Sequence, residues 1–233
     1  MRNVAWTAGL AVVLAYLLGS IPLGYLVTRR RLRQDLRRLD EGASIELQLR
    51  SVLTGDAGDG WHLDDLVGVA LDTAKVLLGA TIAWHLVKRA APGFDRTLLP
   101  KVSAVGFLAD QVLTSWQSVG LWAGLAAVVG HLAPPWLGFR TGQGQAPALA
   151  LVLVYCPYGF SFAVLAFFLA LAVLGDVPRA VLASLPGVMA FAWLAWIFDW
   201  RTSWGATNGP ELTLWAAVVC GVIGARTIAL INR

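Results

Sequence analysis

The sequence predicts an all-α integral membrane protein, about seven transmembrane helices in a compact bundle with the N-terminus outside and the C-terminus cytoplasmic. Three observations carry this reading. Of 233 residues, 58% are apolar and 14% charged, whereas soluble domains run nearer a quarter charged. The mean hydropathy is +0.67. The apolar residues fall into successive runs of bilayer-spanning or nearly spanning length, divided by short Gly-, Pro- and Arg-rich stretches, as helices crossing a hydrocarbon core require. Eleven Trp residues suit the amphipathic belts at bilayer edges.

The first run, Ala5 to Val27, is preceded by Arg2 alone and followed by Arg29, Arg30, Arg31 and Arg33. Seven arginines fall between Arg29 and Arg50. The positive-inside rule therefore places the first loop, residues 28–63, in the cytoplasm. A cleaved signal peptide would carry its charges on the other flank, so the run is read as a retained helix. Its second half, Leu18-Gly19-Ser20-Ile21-Pro22-Leu23-Gly24-Tyr25, holds the residues that permit close helix approach or a kink. The basic loop fits an anionic lipid surface, making membrane lipids the expected partner and nucleic acid not. Gly55 to Gly60 alternates acid and Gly without the spacing and final Glu of a calcium loop, and no metal or cofactor is expected.

Leu66 to Val87 is the second span. It contains Asp72 and Lys75, three residues apart and so on one helix face. Intramembrane charges usually face the bundle interior in partnership. Either the two form an ion pair that locks packing, or they line a polar site near the cytoplasmic end. Lys88 to Lys101 reads as an external loop, and residues 102–117 as an interfacial helix or a further span. Val119–Leu137 is the third span. Beyond it come Ala146–Cys156 (short), Tyr158–Leu174, Val181–Phe198 and Leu212–Ile231, with an external loop Asp199–Glu211. Cys156 and Cys220 lie inside apolar runs and read as buried thiols. The chain is one transmembrane domain over residues 1–233, expected in the bacterial plasma (inner) membrane.

The stretch with the most chemistry is Gly130–Pro147, GHLAPPWLGFRTGQGQAP. Pro134 and Pro135 end the third span, and Gly138, Gly142 and Gly144 follow in a cytoplasmic loop, residues 137–145. Such a loop can gather backbone N–H groups into an anion seat, aided by the dipole of the helix that follows. Arg140 adds a fixed charge whose fork suits phosphate. His131, alone beside an apolar span, reads as a hydrogen-bonding structural residue. No arrangement of nucleophile and base is visible, so no catalytic side chain is assigned.

Leu17 to Tyr25 resembles the first-helix signature of the bacterial acyl-phosphate:glycerol-3-phosphate acyltransferases (PlsY-type). Asp72-Thr73-Ala74-Lys75 is similar to that family's D-x-x-K. Gly130-His131 through Pro134, with Leu137 to Gly144, is similar to its G-H-x-x-P…G-F-K-G-G-K-G loop. The resemblance implies transfer of an acyl group from acyl-phosphate to the sn-1 hydroxyl of glycerol 3-phosphate, without a metal, in phospholipid biosynthesis. It implies Arg50, Arg140, Gly142, Gln143, Gly144 and Ser20 as phosphate or substrate binders, with His131, Asp72 and Lys75 as polar support. The sequence also departs from the pattern. Leu39 to Arg50 keeps only the Arg of the first-loop signature, Gln143 stands where the family has a second Lys, and the C-terminal signature is unrecognisable. A Gly205-Ala206-Thr207-Asn208 string falls in an expected external loop and reads as coincidence. These losses keep two other functions in view: an inactive paralogue that binds lipid or a partner protein, and a small-solute transporter.

Overall fold

The computed structural model describes residues 2–23, 63–90, 116–137, 145–198, 200 and 210–231. The first-loop expectations, the segment 91–115 and the Gly205–Asn208 string lie outside the described residues. Within them the chain is all-helical, with seven α-helices: α1 (Arg2–Ser20), α2 (Leu63–Ala90), α3 (Trp116–Leu132), α4 (Gln145–Tyr155), α5 (Pro157–Leu174), α6 (Val177–Ile197) and α7 (Pro210–Ile231). A 3₁₀ turn, Pro135–Leu137, follows α3.

α1, α2 and α3 pack on one another, α4 leans on α2 and α3, and α5, α6 and α7 pack in sequence, with α7 returning to α3. The three-helix contact is made of small residues. Ala11 and Ala15 of α1, Ala80 and Ala83 of α2, and Ala123 and Ala127 of α3 are all buried. Lipid tails are as apolar as Leu, so helices in a membrane gain little from hiding large apolar side chains. Close backbone approach, which small residues allow, holds them instead. Gly19 shows how close: a Cβ there would run into the carbonyl oxygen of Ala127. Gly130 is the reciprocal case, since its Cβ would strike the carbonyl oxygen of Tyr16. By contrast α5 and the outer faces of α6 and α7 expose Leu165, Phe168, Leu169, Val173, Trp193 and Leu214, the surface a hydrocarbon solvent favours.

Several boundaries differ from the sequence expectation. α1 does not run through to Val27: it ends at Ser20, because Pro22 supplies no N–H and restricts Ile21 before it. Ile21 instead donates to the Leu18 carbonyl at 3.2 Å, closing a tighter turn. Lys88 and Arg89 belong to the last turn of α2 rather than to a loop, where cations suit the helix dipole, and Lys88 lies over the Trp84 ring. α6 starts at Val177, before the expected Val181. Asp176 caps it, accepting from the Arg179 N–H at 3.1 Å, and Pro178 sits in the first turn, where its missing N–H costs nothing. α4, at 11 residues, rises about 16 Å, half of the roughly 30 Å hydrocarbon core. It does not cross alone, and only Cys156 separates it from α5. By length and composition α2, α5, α6 and α7 can each cross a membrane, while α1 and α3 are shorter apolar helices.

Two tryptophans fasten α7 to α3. The buried indole N–H of Trp215 donates to the Leu121 carbonyl at 3.0 Å, and that of Trp122 to Glu211 Oε1 at 3.2 Å. Trp215 is 2% exposed, so it belongs to the core rather than to an interfacial belt.

Candidate functional site

The end of α1 is where the three sequence motifs meet. Gly19 and Gly130 bring the backbones of α1 and α3 together, as above, which sets Ser20 and Ile21 beside the last turn of α3. From the facing side α2 contributes Lys75, buried at 3% exposure. Its Nζ lies 2.6 Å from Asp72 Oδ1 and donates to the Ile21 carbonyl, also at 2.6 Å. The same Asp72 oxygen is 3.9 Å from His131 Nδ1, beyond hydrogen-bond length but close enough for attraction if the imidazole is protonated.

A buried ammonium is tolerated only when paired and hydrogen-bonded. Lys75 has both, from a carboxylate on its own helix and a carbonyl on another. Asp72 and Lys75 form an ion pair, one of the two readings of their spacing. Its link to the Ile21 carbonyl, at the α1 break, could not be read from the spacing.

Ser20 is buried, and its hydroxyl has two protein partners. It donates to the Leu17 carbonyl at 2.7 Å and accepts from the Trp136 indole N–H at 2.9 Å. One turn earlier on the same face of α1, Tyr16 donates its hydroxyl to the Ala133 carbonyl at 3.1 Å. That carbonyl follows α3 and precedes Pro134 and Pro135, which have no N–H to help satisfy the helix end. Sequence reading missed Tyr16 and Trp136. The signal available was a Tyr placed four residues before Ser20 and a Trp between two prolines and a Gly-rich loop.

Ser20, Asp72, Lys75 and His131 thus belong to one polar cluster inside an otherwise apolar bundle. Arg50, Arg140, Gly142, Gln143 and Gly144 lie outside the described residues. The structure does describe both stems of the Gly-rich loop, at Leu137 and Gln145. Among the described residues no three His, Cys, Asp or Glu side chains gather as metal ligands. What the cluster does physically is fix two chain exits: the start of the first loop at Ile21–Leu23, and the start of the Gly-rich loop at Pro135–Leu137.

Comparison with known proteins identifies the family. A family model described as "Glycerol-3-phosphate acyltransferase" matches residues 9–233. A protein named glycerol-3-phosphate acyltransferase 3 from Dehalococcoides mccartyi is 31% identical over 153 residues, covering 66% of this chain and 61% of the relative. Glycerol-3-phosphate acyltransferase 1 of the same organism is 29% identical over 193 residues, covering 80% of this chain and 75% of the relative. A glycerol-3-phosphate acyltransferase from Myxococcus xanthus is 35% identical over 148 residues, 63% of this chain and 59% of the relative. The match to the first of these therefore spans about three-fifths of that relative's length. Among solved structures the chain resembles PlsY (YgiH), an integral membrane glycerol 3-phosphate acyltransferase, in its lysophosphatidic acid form. The TM-score is 0.58 at 22% identity, over 97% of this chain and 90% of that one. The glycerol 3-phosphate form of the same protein gives a TM-score of 0.57. At that identity the likeness speaks to the fold.

Proposed function

The chain belongs to the glycerol-3-phosphate acyltransferase family, and from that membership we propose that it transfers an acyl group from acyl-phosphate to glycerol 3-phosphate in the bacterial inner membrane. One observation carries the reading beyond resemblance. The first-helix, D-x-x-K and G-H-x-x-P motifs, far apart in sequence, converge at Ser20, Lys75 and His131. There the cluster holds the stems of the two loops that carry Arg50 and Arg140.

Both substrates bear phosphate, so the residues assigned to hold them are those two arginines, with the Gly142 and Gly144 N–H groups and the Gln143 amide. In the reaction the acceptor hydroxyl oxygen bonds to the acyl carbonyl carbon, the anhydride C–O bond breaks, and inorganic phosphate leaves. The hydroxyl proton passes to the departing phosphate, which leaves as hydrogen phosphate. Fixed cations and backbone N–H groups around two phosphates suit a site that works by positioning and by stabilising developing negative charge. The single-domain organisation, with cytoplasmic loops at residues 28–63 and 137–145, belongs to this proposal.

The test is phosphate release by purified protein supplied with acyl-phosphate and glycerol 3-phosphate, alongside complementation of a strain lacking this acyltransferase. Release dependent on both substrates supports the reading. Binding of glycerol 3-phosphate without release would favour an inactive family member, the alternative that the altered first-loop segment and Gln143 support.

A further inference from the structure

We propose that Tyr16 and Trp136 are positioning residues for the Gly-rich loop, tying its stem to the C-terminal half of α1; this rests on the acyltransferase reading above. The stem runs from the end of α3 through Ala133, Pro134 and the 3₁₀ turn Pro135–Leu137, and Gly138 follows. Two prolines fix φ along it, which stiffens the segment but does not decide where it points. Direction comes from the two hydrogen bonds to α1, Tyr16 to Ala133 and Ser20 from Trp136. Tyr16 and Ser20 are four residues apart and therefore stand on one face of α1, one above the other.

The two ends of this grip are buried to very different degrees. Ser20 is 1% exposed, whereas Trp136 is 62% exposed. A tryptophan that served packing would be enclosed, and one that served only as an interfacial anchor would have no need to reach a buried hydroxyl. With most of the Trp136 residue exposed, its indole N–H still reaches that oxygen. Since α1 approaches α3 closely at Gly19 and Gly130 and is bonded to α2 through Lys75, the stem is tied to the packed contact of those three helices. Misplacing a binding loop by an ångström can cost far more than the hydrogen bond that held it.

Tyr16→Phe and Trp136→Phe each remove a donor and keep an aromatic ring. Both are expected to raise KM for glycerol 3-phosphate roughly tenfold or more, beyond the factor one hydrogen bond is worth, with only a small fall in melting temperature. Ser20→Ala removes the acceptor, so Trp136→Phe in that background is expected to add nothing further. Trp193→Phe, an exposed tryptophan on α6, is the control and is expected to leave KM alone. The second readout needs no turnover. A spin label at Leu137→Cys, in a Cys156→Ala/Cys220→Ala background, is expected to become more mobile when Tyr16 or Trp136 is Phe. Unchanged label mobility in both variants overturns the inference, as do wild-type KM values in an active enzyme. Absent turnover in the wild type with a label response would sink the acyltransferase reading and leave the grip standing.

Discussion

The ammonium of Lys75 sits 2.6 Å from the main-chain carbonyl of Ile21, a residue 54 positions away in sequence. The contact lies where Pro22 has broken α1, so a helix defect on one element is met by a buried charge on another. Leu23 shares that carbonyl through its own N–H at 2.9 Å. Without Lys75 that carbonyl would keep only the Leu23 N–H, and without the break Lys75 would face a helix whose carbonyls are already engaged.

It follows that Asp72 and Lys75 should behave as a unit. Removing one partner of a buried pair strands the other charge and costs about 3–5 kcal/mol, whereas removing both often costs much less. Asp72→Asn and Lys75→Met are each expected to lower the melting temperature in detergent more than the double substitution does. Because Lys75 also serves Ile21, the double variant should still fall short of wild type. Losses that simply add would show that the two side chains do not interact.

The glycines at the α1–α3 contact make a sharper stability prediction. A Cβ at Gly19 or Gly130 meets main-chain atoms of the opposing helix, which cannot swing aside as a side chain can. Gly19→Ala and Gly130→Ala are each expected to cost about 1–3 kcal/mol through forced separation of the helices. Gly9 and Gly221 have open space where a Cβ would go. Alanine there should be neutral or stabilise by up to about 1 kcal/mol, since helical Gly carries an entropic cost. Equal melting shifts at all four positions would refute the close-approach account.

Much of this was legible in the sequence, for identifiable reasons. Apolar runs of this length punctuated by Pro and Gly mark helices because a helix satisfies its whole backbone within one segment, and each of the seven helices among the described residues corresponds to such a run. The Asp72–Lys75 pair followed from three-residue spacing on one helix. Bonds such as Tyr16 to Ala133 and Trp136 to Ser20 were invisible, since they depend on how helices 116 or 117 residues apart are placed. Trp215 was misplaced for a related reason: composition puts Trp at the membrane edge, but a carbonyl at Leu121 gives this one a buried partner. The start of α6 at Val177, before the expected Val181, is hidden in the sequence because Pro178 fits the first turn only with Asp176 acting as a cap.

Orientation is a separate expectation, resting on the arginines after α1. The cluster between Arg29 and Arg50 outweighs the positive residues between Lys88 and Lys101, so the first loop should face the cytoplasm. A cysteine introduced at Ser44 is expected to react with an impermeant maleimide only after the cells are opened. Reaction in intact cells would invert the orientation and move Arg50 to the wrong side for a cytoplasmic substrate.

The last prediction concerns Arg140, which lies between the stem fixed by Trp136 and the start of α4. A phosphate site needs fixed positive charge, and each charge-assisted hydrogen bond to phosphate is worth about 1.5–3 kcal/mol. Arg140→Ala is therefore expected to weaken glycerol 3-phosphate binding roughly tenfold or more. Arg140→Lys keeps the charge and loses the fork, so its affinity should fall between the two. The difference between wild type and Arg140→Ala should shrink as salt is raised, because dissolved ions screen the attraction between cation and phosphate. Arg179 is the control: it is exposed, paired with Asp176 at the start of α6, and plays no part in the proposed site. Arg179→Ala should bind as wild type does. Titration calorimetry of the detergent-solubilised protein at low and moderate salt measures all of these, and equal affinity for wild type and Arg140→Ala would remove Arg140 from the site.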